Sequence, residues 1–391
     1  MKIESIRLKN FRMFREVSIN NLPGCCVFVG ANGTGKSSLF YLFGFLREAL
    51  TYNVKQALAK RGGFKEVVSR GTTGPIEIEL KFRDLEATSS KVTYLLVIDQ
   101  VKNRPVVKRE VLNYRRGRNG GLRHFLDFSL GKGKVIINDK DSGKAKEKSQ
   151  EEKLVSEDIL ALNGLGQLQR FEIARELRHF IENWHMSDLQ ISEARRINQS
   201  AGYDEHLSSS GDNLALSAQS LHGQYPDKYN EILQKMAQRV PGFAAVEPVI
   251  ENGRILLKFH ESAFEEPFQS WQVSDGTISI FAYLLQLYDP NPHSLLCVEE
   301  PNNQLYPDIL MILAEEFSLY AKRGGGQVFV STQSPDFLNG AHLEGIFWLT
   351  KKAGYTQVHM TGEEQLLKRL VEVGDLPGAL WTEGFFEGAH P

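Results

Sequence analysis

Hydrophobic and polar residues alternate along several parts of the chain, and a period of two is typical of half-exposed β-strands. In the N-terminal half this pattern predicts strands at residues 2–9, 17–19, 75–82, 92–98, 106–112 and 135–138. In the C-terminal half it predicts strands at 246–250, 255–259 and 268–273. Short continuous apolar runs, which are typical of buried strands, occur at 25–29, 294–298 and 326–332. The chain is therefore expected to combine an antiparallel layer with a layer of buried strands.

Helical periodicity occupies the remaining regular segments, at 38–50, 171–184, 227–240, 278–288 and 364–373. No segment sustains the three or four heptads that a long coiled coil needs. Residues 139–153 are highly charged and almost without apolar side chains, which predicts an exposed, mobile loop. We expect a compact head with a short helical insert.

Bulk composition narrows the class of protein without identifying it. The 391 residues include 41% hydrophobic and 24% charged residues, as in ordinary soluble globular proteins. No apolar run approaches the ~20 residues that cross a bilayer, and the start lacks a signal-peptide core, so we expect a cytoplasmic protein without membrane contact. Three cysteines without zinc-site spacing predict buried, reduced thiols and no zinc centre. A net charge of −2 means that any DNA binding would depend on local basic patches.

A glycine-rich loop, Gly30-Ala31-Asn32-Gly33-Thr34-Gly35-Lys36-Ser37, joins the buried strand at 25–29 to the helix at 38–50. It fits the phosphate-binding pattern G-x-x-x-x-G-K-[ST] at every fixed position, in the strand–loop–helix context that the motif requires. Backbone N–H groups and the helix N-terminus would hold phosphate, Lys36 would reach the β- and γ-phosphates, and Ser37 would bind Mg²⁺. The sequence thus predicts a site for ATP and Mg²⁺.

The apolar run at 294–298 ends in two adjacent carboxylates, Glu299 and Glu300. Successive side chains of a strand point to opposite sides, which predicts two different roles. Glu299 would bind Mg²⁺ and Glu300 would act as the general base on the attacking water. The alternative is a pair of exposed acids at a strand end.

Several motifs in order resemble the heads of RecF/SMC-type ATPases of the ABC superfamily. They are Asn10-Phe11-Arg12, the glycine-rich loop, Val273-Ser274-Asp275-Gly276-Thr277, the acidic strand and Gln333-Ser334-Pro335. The chain is also similar to the compact RecF-like AAA/ABC-type ATPases of bacterial genomic islands. This resemblance implies an α/β fold, with a mixed sheet around the phosphate loop, an antiparallel β layer and a helical insert. We expect an N-terminal lobe at 1–160, the insert at 161–243 and a C-terminal lobe at 244–391.

The resemblance also implies roles for individual residues. Asn32 to Ser38 would bind nucleotide, and Arg12 would lie beside it, unless Arg12 is a solvated arginine at a turn. Gln167, or Gln169 two residues later, would sense Mg²⁺ and the γ-phosphate. Ser274, Asp275 and Gly276 would complete the site of a second subunit, although Ser-Asp-Gly is also ordinary turn chemistry. Gln333 stands where the family usually has His, and we therefore expect slow hydrolysis, since glutamine cannot carry positive charge.

Three functions follow from the resemblance. The first is an ATP-gated dimer, or a higher oligomer, that acts in anti-phage defence with a separately encoded nuclease or toxin. The second is a RecF-like DNA repair ATPase, and the third is an ATP-bound assembly scaffold with little turnover. No glutamate followed by an Asp-x-Asp pair occurs near the C-terminus, so we expect no fused Toprim nuclease. DNA contact would fall to basic residues, namely Lys60, Arg61, Lys65, Arg70, Arg115, Arg116, Arg118, Arg195 and Arg196.

Overall fold

A computed structural model describes residues 1–83, 91–115, 122–137, 148–199, 204, 206–303 and 305–389. The chain forms two compact units, each built from more than one stretch of sequence. Unit 1 contains Met1–Trp184, Glu344–Gln365 and Phe386–Pro391, and unit 2 contains His185–Leu343 and Leu366–Phe385.

The strands and helices follow in chain order. The strands are β1 Lys2–Phe11, β2 Phe14–Ile19, β3 Cys25–Val29, β4 Ile76–Arg83, β5 Lys91–Val101, β6 Arg104–Arg115, β7 Leu122–Ser129, β8 Lys132–Ile137, β9 Lys148–Lys153, β10 Trp184–Ser187, β11 Asn198–Gln199, β12 Phe243–Glu251, β13 Arg254–Glu261, β14 Phe268–Gln269, β15 Leu295–Glu299, β16 Gln327–Thr332, β17 Ile346–Lys352 and β18 Tyr355–Met360. The helices are α1 Lys36–Thr51, α2 Val54–Ala59, α3 Phe64–Val67, α4 Ala161–Leu165, α5 Glu172–Glu182, α6 Ile191–Ala194, α7 Leu214–Gln224, α8 Pro226–Ala237, α9 Asp275–Leu287, α10 Pro307–Lys322, α11 Pro335–Asn339, α12 Gln365–Glu372 and α13 Pro377–Thr382.

An antiparallel sheet dominates unit 1, with the strand order β2-β1-β4-β5-β6-β7-β8-β9. The alternation read from the sequence sets which face is buried: in β4, Ile76, Ile78, Leu80 and Phe82 are fully buried, and the residues between them are less buried. The antiparallel layer predicted from the period-two segments is confirmed.

The phosphate-loop strand also belongs to unit 1, where β17 lies between β3 and β18. β3 and β17 are parallel, with Phe28 opposite Phe347, and the two rings stack at 5.2 Å. The four residues from Cys26 to Val29 are buried, as expected for an apolar run covered on both faces.

Unit 2 contains the acidic strand. β15 runs parallel to β16, with Glu299 opposite Ser331. A smaller antiparallel sheet pairs β13 with β11, β12 and β14. The mixed α/β fold class predicted from the sequence is confirmed.

Some sequence-based boundaries were wrong. Residues 148–153, expected in a mobile loop, form β9 and pair with β8, because a backbone ladder does not require apolar side chains. The rest of that expected loop, from 139 to 147, lies outside the described residues. The helix predicted at 171–184 ends at Glu182, since Trp184 already begins β10. The strand predicted at 268–273 is limited to Phe268–Gln269.

Within the described ranges, the longest helices are α1 and α10, with 16 residues each, so they contain no long coiled coil. In that same part of the chain, no helix has the length and apolar character to cross a membrane. The three cysteines are free thiols, and Cys26 and Cys297 are buried.

Candidate functional site

The glycine-rich loop curls at three glycines with positive φ, namely Gly30 (156°), Gly33 (77°) and Gly35 (109°). Gly35 is the left-handed residue from which α1 begins, with Ser38 N–H donating to its carbonyl at 3.0 Å. Glycine adopts this conformation without steric cost, so the backbone can expose successive N–H groups on one side.

Two of these glycines also permit close packing. A Cβ at Gly35 would lie 2.3 Å from Thr356 Oγ1, and a Cβ at Gly30 would lie 2.6 Å from the Leu349 carbonyl oxygen. Thr356 Oγ1 donates to the Thr34 carbonyl at 2.6 Å. The Thr356 hydroxyl therefore holds the glycine-rich loop against β18.

Charge at the start of α1 favours an anion. The first turn contains no acidic residue, and no side chain caps the N-terminus, which carries partial positive charge. Lys36 is buried, and its ammonium group donates to the Gly30 carbonyl at 2.6 Å. Asn32, Gly33 and Ser37 are exposed at the loop surface. The donor set therefore fits the phosphates of a nucleotide, with the Ser37 hydroxyl accessible to Mg²⁺.

Arg12 of unit 1 lies beside the helix that begins at this loop, and the next residue, Met13, is hydrogen-bonded to the strand that contacts the loop. Its guanidinium group lies 4.0 Å from the centre of the Tyr41 ring, on the helix that the loop begins. Next to it, the Met13 carbonyl accepts a hydrogen bond from Thr356 N–H at 2.9 Å. Burial raises the pKa of Tyr41 above its ordinary value, so the phenol stays neutral beneath the cation. The Arg12 side chain thus has a defined position on the Tyr41 ring, and its contact with a nucleotide remains a prediction.

Gln167 lies just beyond α4 and is exposed, with its amide donating to Asn163 Oδ1 at 3.2 Å. Gln169 is exposed as well. The assignment of either residue as the glutamine that senses Mg²⁺ remains a prediction.

In unit 2, β15 ends at Glu299, and Glu300 adopts a left-handed conformation with φ 44°. The prediction that strand alternation separates the two carboxylates required a strand through both Glu299 and Glu300. The strand stops at Glu299, so alternation does not determine the direction of the Glu300 side chain. Glu300 N–H donates to the Ser331 carbonyl at 2.8 Å, which fixes the backbone at this turn. Non-glycine residues in this conformation cost about 1–3 kcal/mol and cluster at functional sites.

Gln333 makes two contacts with the Glu300 carboxylate. Its backbone N–H donates to Oε2 at 3.1 Å, and its side-chain Nε2 donates to Oε1 at 3.3 Å. Thr332, the last residue of β16, donates to Asn302 Oδ1 at 2.9 Å, which joins the end of β16 to the turn after β15. Gln333 and Glu300 were both selected from the sequence, and the fold brings them together.

The predicted signature loop forms the first turn of α9, three residues earlier than the helix predicted from periodicity. Ser274 is the N-cap, and its hydroxyl accepts from Thr277 N–H at 3.2 Å. Arg195 donates to the Val273 carbonyl at 2.7 Å and to the Ser270 carbonyl, and it pairs with Asp275. Arg195 thus holds this loop in place, and its contact with DNA remains a prediction.

A family model described as "AAA domain, putative AbiEii toxin, Type IV TA system" matches residues 25–339 of the chain. This match covers most of the sequence, including the glycine-rich loop, the signature loop and the acidic strand. The chain belongs to this AAA family.

Similar proteins support the expected RecF/SMC-like, ABC-type class for this AAA-family member. It is 27% identical over 152 residues to the DNA replication and repair protein RecF of Heliobacterium modesticaldum, covering 36% of this chain and 40% of the relative. It is 30% identical over 142 residues to RecF of Listeria innocua, covering 34% of this chain and 38% of the relative. The matched segment thus spans about two fifths of the length of these relatives.

Among solved structures, an SMC head bound to the C-terminal winged-helix domain of ScpA is similar, with a TM-score of 0.53 and 15% identity. The alignment covers 94% of this chain and 100% of that one. This likeness concerns the fold, and it confirms the predicted ABC-type head.

Several basic residues that the sequence suggested as DNA contacts are paired with other side chains of the chain. Arg61 pairs with Glu48 and lies over the Tyr41 ring, and Lys60 lies 3.8 Å from Glu48. Arg70 and Arg196 pair with nearby glutamates. Arg116 and Arg118, and the side chain of Arg115, lie outside the described residues. DNA binding remains a prediction.

Sequence reasoning missed Thr356 and the structural role of Arg195, the two residues that hold the two loops. Thr356 is 322 residues from its partner Thr34, and no local motif marks it. Arg195 was noticed for its charge alone, because the carbonyl groups that it bonds cannot be identified before the chain folds.

Proposed function

We propose that this protein binds ATP with Mg²⁺ and hydrolyses it slowly, as an ATP-gated dimeric switch. The observation that carries the proposal is the contact between Glu300 and Gln333. A carboxylate in a strained backbone conformation, held by two N–H donors at the end of a buried strand, is suited to orient a water molecule.

The glycine-rich loop of unit 1 would hold the phosphates through residues Asn32 to Ser38, with Lys36 contributing positive charge. Arg12 would lie beside the nucleotide. Ser37, Glu299 and Gln167 would hold Mg²⁺, which neutralises phosphate charge when bound. Glu300 would accept the proton of the attacking water.

Gln333 would set the rate. Its amide keeps the Glu300 carboxylate oriented, but a neutral amide offers less stabilisation to charge developing on the phosphate than an imidazolium would. Slow turnover suits a switch, because the ATP-bound state then persists long enough for a partner to respond.

The signature loop supports assembly of two copies. Ser274, Asp275 and Gly276 start a 13-residue helix, whose N-terminus offers N–H groups to an anion. In a twofold arrangement, each signature loop would complete the nucleotide site of the other copy. Loss of the γ-phosphate would then remove contacts that hold the dimer, and hydrolysis would control its opening.

The family description names a putative toxin of a type IV toxin–antitoxin system, which supports a role with a separately encoded protein partner. We propose that this role is anti-phage defence and that the partner is an effector. The second candidate is a repair ATPase that acts at DNA, and the similarity to RecF supports it. Stimulation of ATP turnover by duplex DNA, falling as salt is raised, would favour the second role.

The test compares ATP turnover and size-resolved mass for wild type, Glu300→Gln, Gln333→His and the exposed control Glu265→Gln. We expect Glu300→Gln to lower turnover about 10²- to 10⁴-fold and to accumulate an ATP-bound dimer. Gln333→His should raise turnover, and Glu265→Gln should match wild type.

Two results would contradict the proposal. Turnover by Glu300→Gln equal to that of wild type would remove Glu300 as the base. A wild-type protein that stays monomeric at saturating ATP, with Glu300→Gln monomeric as well, would reject the shared site.

A further inference from the structure

Three side chains of unit 2 meet outside the motifs described above. They are His206, which precedes α7, Asp289, just beyond α9, and His293, just before β15. One potential metal-ligand atom from each lies within 4.8 Å of those of the other two. We propose that His206, Asp289 and His293 form a binding site for a divalent transition-metal ion, with Zn²⁺ as the expected occupant.

The choice of Zn²⁺ rests on the chemistry of the three ligands. Two imidazoles and one carboxylate suit Zn²⁺, whereas Mg²⁺ prefers oxygen ligands and retains its water. In a tetrahedral zinc site, ligand atoms are separated by roughly 3.4 Å, given bonds of about 2.0–2.1 Å. Around the ion, His206 Nδ1 and Asp289 Oδ2, now 2.6 Å apart, would move apart, whereas ligand atoms separated by up to 4.8 Å would move closer. The fourth position would be taken by water.

The site is also largely enclosed. The Asp289 side chain is 6% exposed and His293 is 8% exposed, while the His206 side chain is about one-third exposed, at 32%. His206 Nδ1 lies 2.6 Å from Asp289 Oδ2, so the cluster already pairs an imidazole nitrogen with a carboxylate. A metal ion would replace that contact with two stronger ones.

Backbone geometry fixes two of the ligands before any metal binds. Asp289 and His293 are joined by Pro290-Asn291-Pro292, in which two prolines restrict the backbone. Asn291 N–H donates to the outer oxygen of Asp289, Oδ1, at 2.8 Å, which leaves Oδ2 directed towards His206. Such secondary hydrogen bonds orient the ligands of metal sites.

His293 is held from two further directions. The ring of His185 stacks on it at 4.5 Å with an angle of 15° between the planes. The His293 carbonyl accepts from the Tyr320 hydroxyl at 3.1 Å, and a Cβ at Gly326 would approach it to 2.0 Å. A bound ion would therefore connect the His206 segment to the rigid loop that joins α9 to β15.

The sequence predicted no zinc site, because the expected spacing patterns concern ligands close together in the chain. Here His206 is 83 residues from Asp289, and only folding brings them together. This site is independent of the proposed ATP hydrolysis, since none of its residues belongs to the predicted nucleotide site.

The experiment uses the full chain, stripped of metal by a chelator and free of nucleotide. Zn²⁺ binding is measured by competition with a chromophoric chelator, and Co²⁺ binding by visible absorption. The variants are His206→Gln and Asp289→Asn, with His342→Gln as the control, because His342 is an exposed histidine of the same unit. His206→Gln changes a partly exposed side chain, and Asp289→Asn preserves the size of the group.

We expect one equivalent of Zn²⁺ in wild type and in His342→Gln, and at least tenfold weaker binding in the other two variants. Zn²⁺ should raise the melting temperature of wild type and His342→Gln, whereas excess Mg²⁺ should not displace it. Equal unfolding curves for all four proteins in chelator would show that the variants are folded.

Equal Zn²⁺ affinity in wild type and both site variants would overturn the proposal, leaving His206 and Asp289 as a hydrogen-bonded pair. A Co²⁺ spectrum with a sulfur-to-metal charge-transfer band would also overturn it, because a cysteine would then be a ligand. Failure of wild type to bind Zn²⁺ would do so directly.

Discussion

Glu110 is a fully buried carboxyl group on β6 of unit 1, and its replacement by glutamine tests how burial and hydrogen bonding compete. Its Oε1 accepts hydrogen bonds from the Leu162 N–H at 2.9 Å and the Tyr94 hydroxyl at 3.0 Å. Its Oε2 accepts from the Ala161 N–H. Glu110 thus caps the first turn of α4, which has no cap of its own, from 51 residues away.

Burial raises the pKa of Glu110 to about 7, and the three donors only partly oppose it. Because the folded-state pKa is above the ordinary value of 4.5, the native state retains a proton that the unfolded chain releases. Stability from this group is therefore fully present below pH 4.5 and is lost as the pH rises through 7. The total loss is about 3 kcal/mol, of which about 2 kcal/mol falls between pH 5.5 and 8.5.

The assay is urea unfolding of wild type and Glu110→Gln at several pH values across this window. Glutamine does not ionise, so the stability advantage of wild type over the variant should fall by about 2 kcal/mol from pH 5.5 to 8.5. Groups that the two proteins share contribute equally and cancel in the difference. Glu16→Gln is the control, because Glu16 is exposed and the hydrogen bond from Arg7 lowers its pKa, away from the window.

A constant difference between wild type and Glu110→Gln across the window would refute the reasoning. It would mean that the Ala161 and Leu162 N–H groups outweigh burial and keep the carboxylate ionised throughout. Loss of the pH dependence in Glu16→Gln as well would show that the effect is not specific to the buried group.

Three further changes have expected outcomes. Gly35→Ala should abolish binding of a fluorescent ATP analogue and destabilise the fold by about 1–3 kcal/mol. The reason is that φ at Gly35 is 109° and the new Cβ would meet Thr356. Unchanged binding would contradict the loop geometry. Arg195→Met should reduce ATP-dependent dimerisation, measured by size-resolved mass, about tenfold and leave nucleotide affinity unchanged, because the substitution frees the signature loop. Dimerisation equal to that of wild type would show that Arg195 does not support the dimer. Glu316→Gln should lower the free energy of unfolding, measured in urea at pH 7, by about 3 kcal/mol, because this carboxylate is 3% exposed and pairs with two cations. A loss under 1 kcal/mol would show that these two ion pairs contribute little to stability.

Much of the candidate site could be predicted from the sequence because its parts are local. The glycine-rich loop needs residues that allow positive φ at fixed spacing, and the apolar run before Glu299 identifies a buried strand. Alternation gave the antiparallel layer, since a sheet with one buried face requires it. The positions of Lys36, Ser274 and Glu300 were available for the same reason: each belongs to a short motif.

Tertiary structure decided the contacts that hold these parts. Gln333 could be named from the sequence, but its two hydrogen bonds to Glu300 depend on β15 and β16 lying side by side. Thr356 beside the glycine-rich loop and Glu110 at the start of α4 have no local signature. The same applies to the cluster of His206, Asp289 and His293. Sequence patterns report the conformation of neighbouring residues. These contacts form only when folding closes long loops and brings distant side chains together, and no periodicity in the sequence specifies which distant residues will meet.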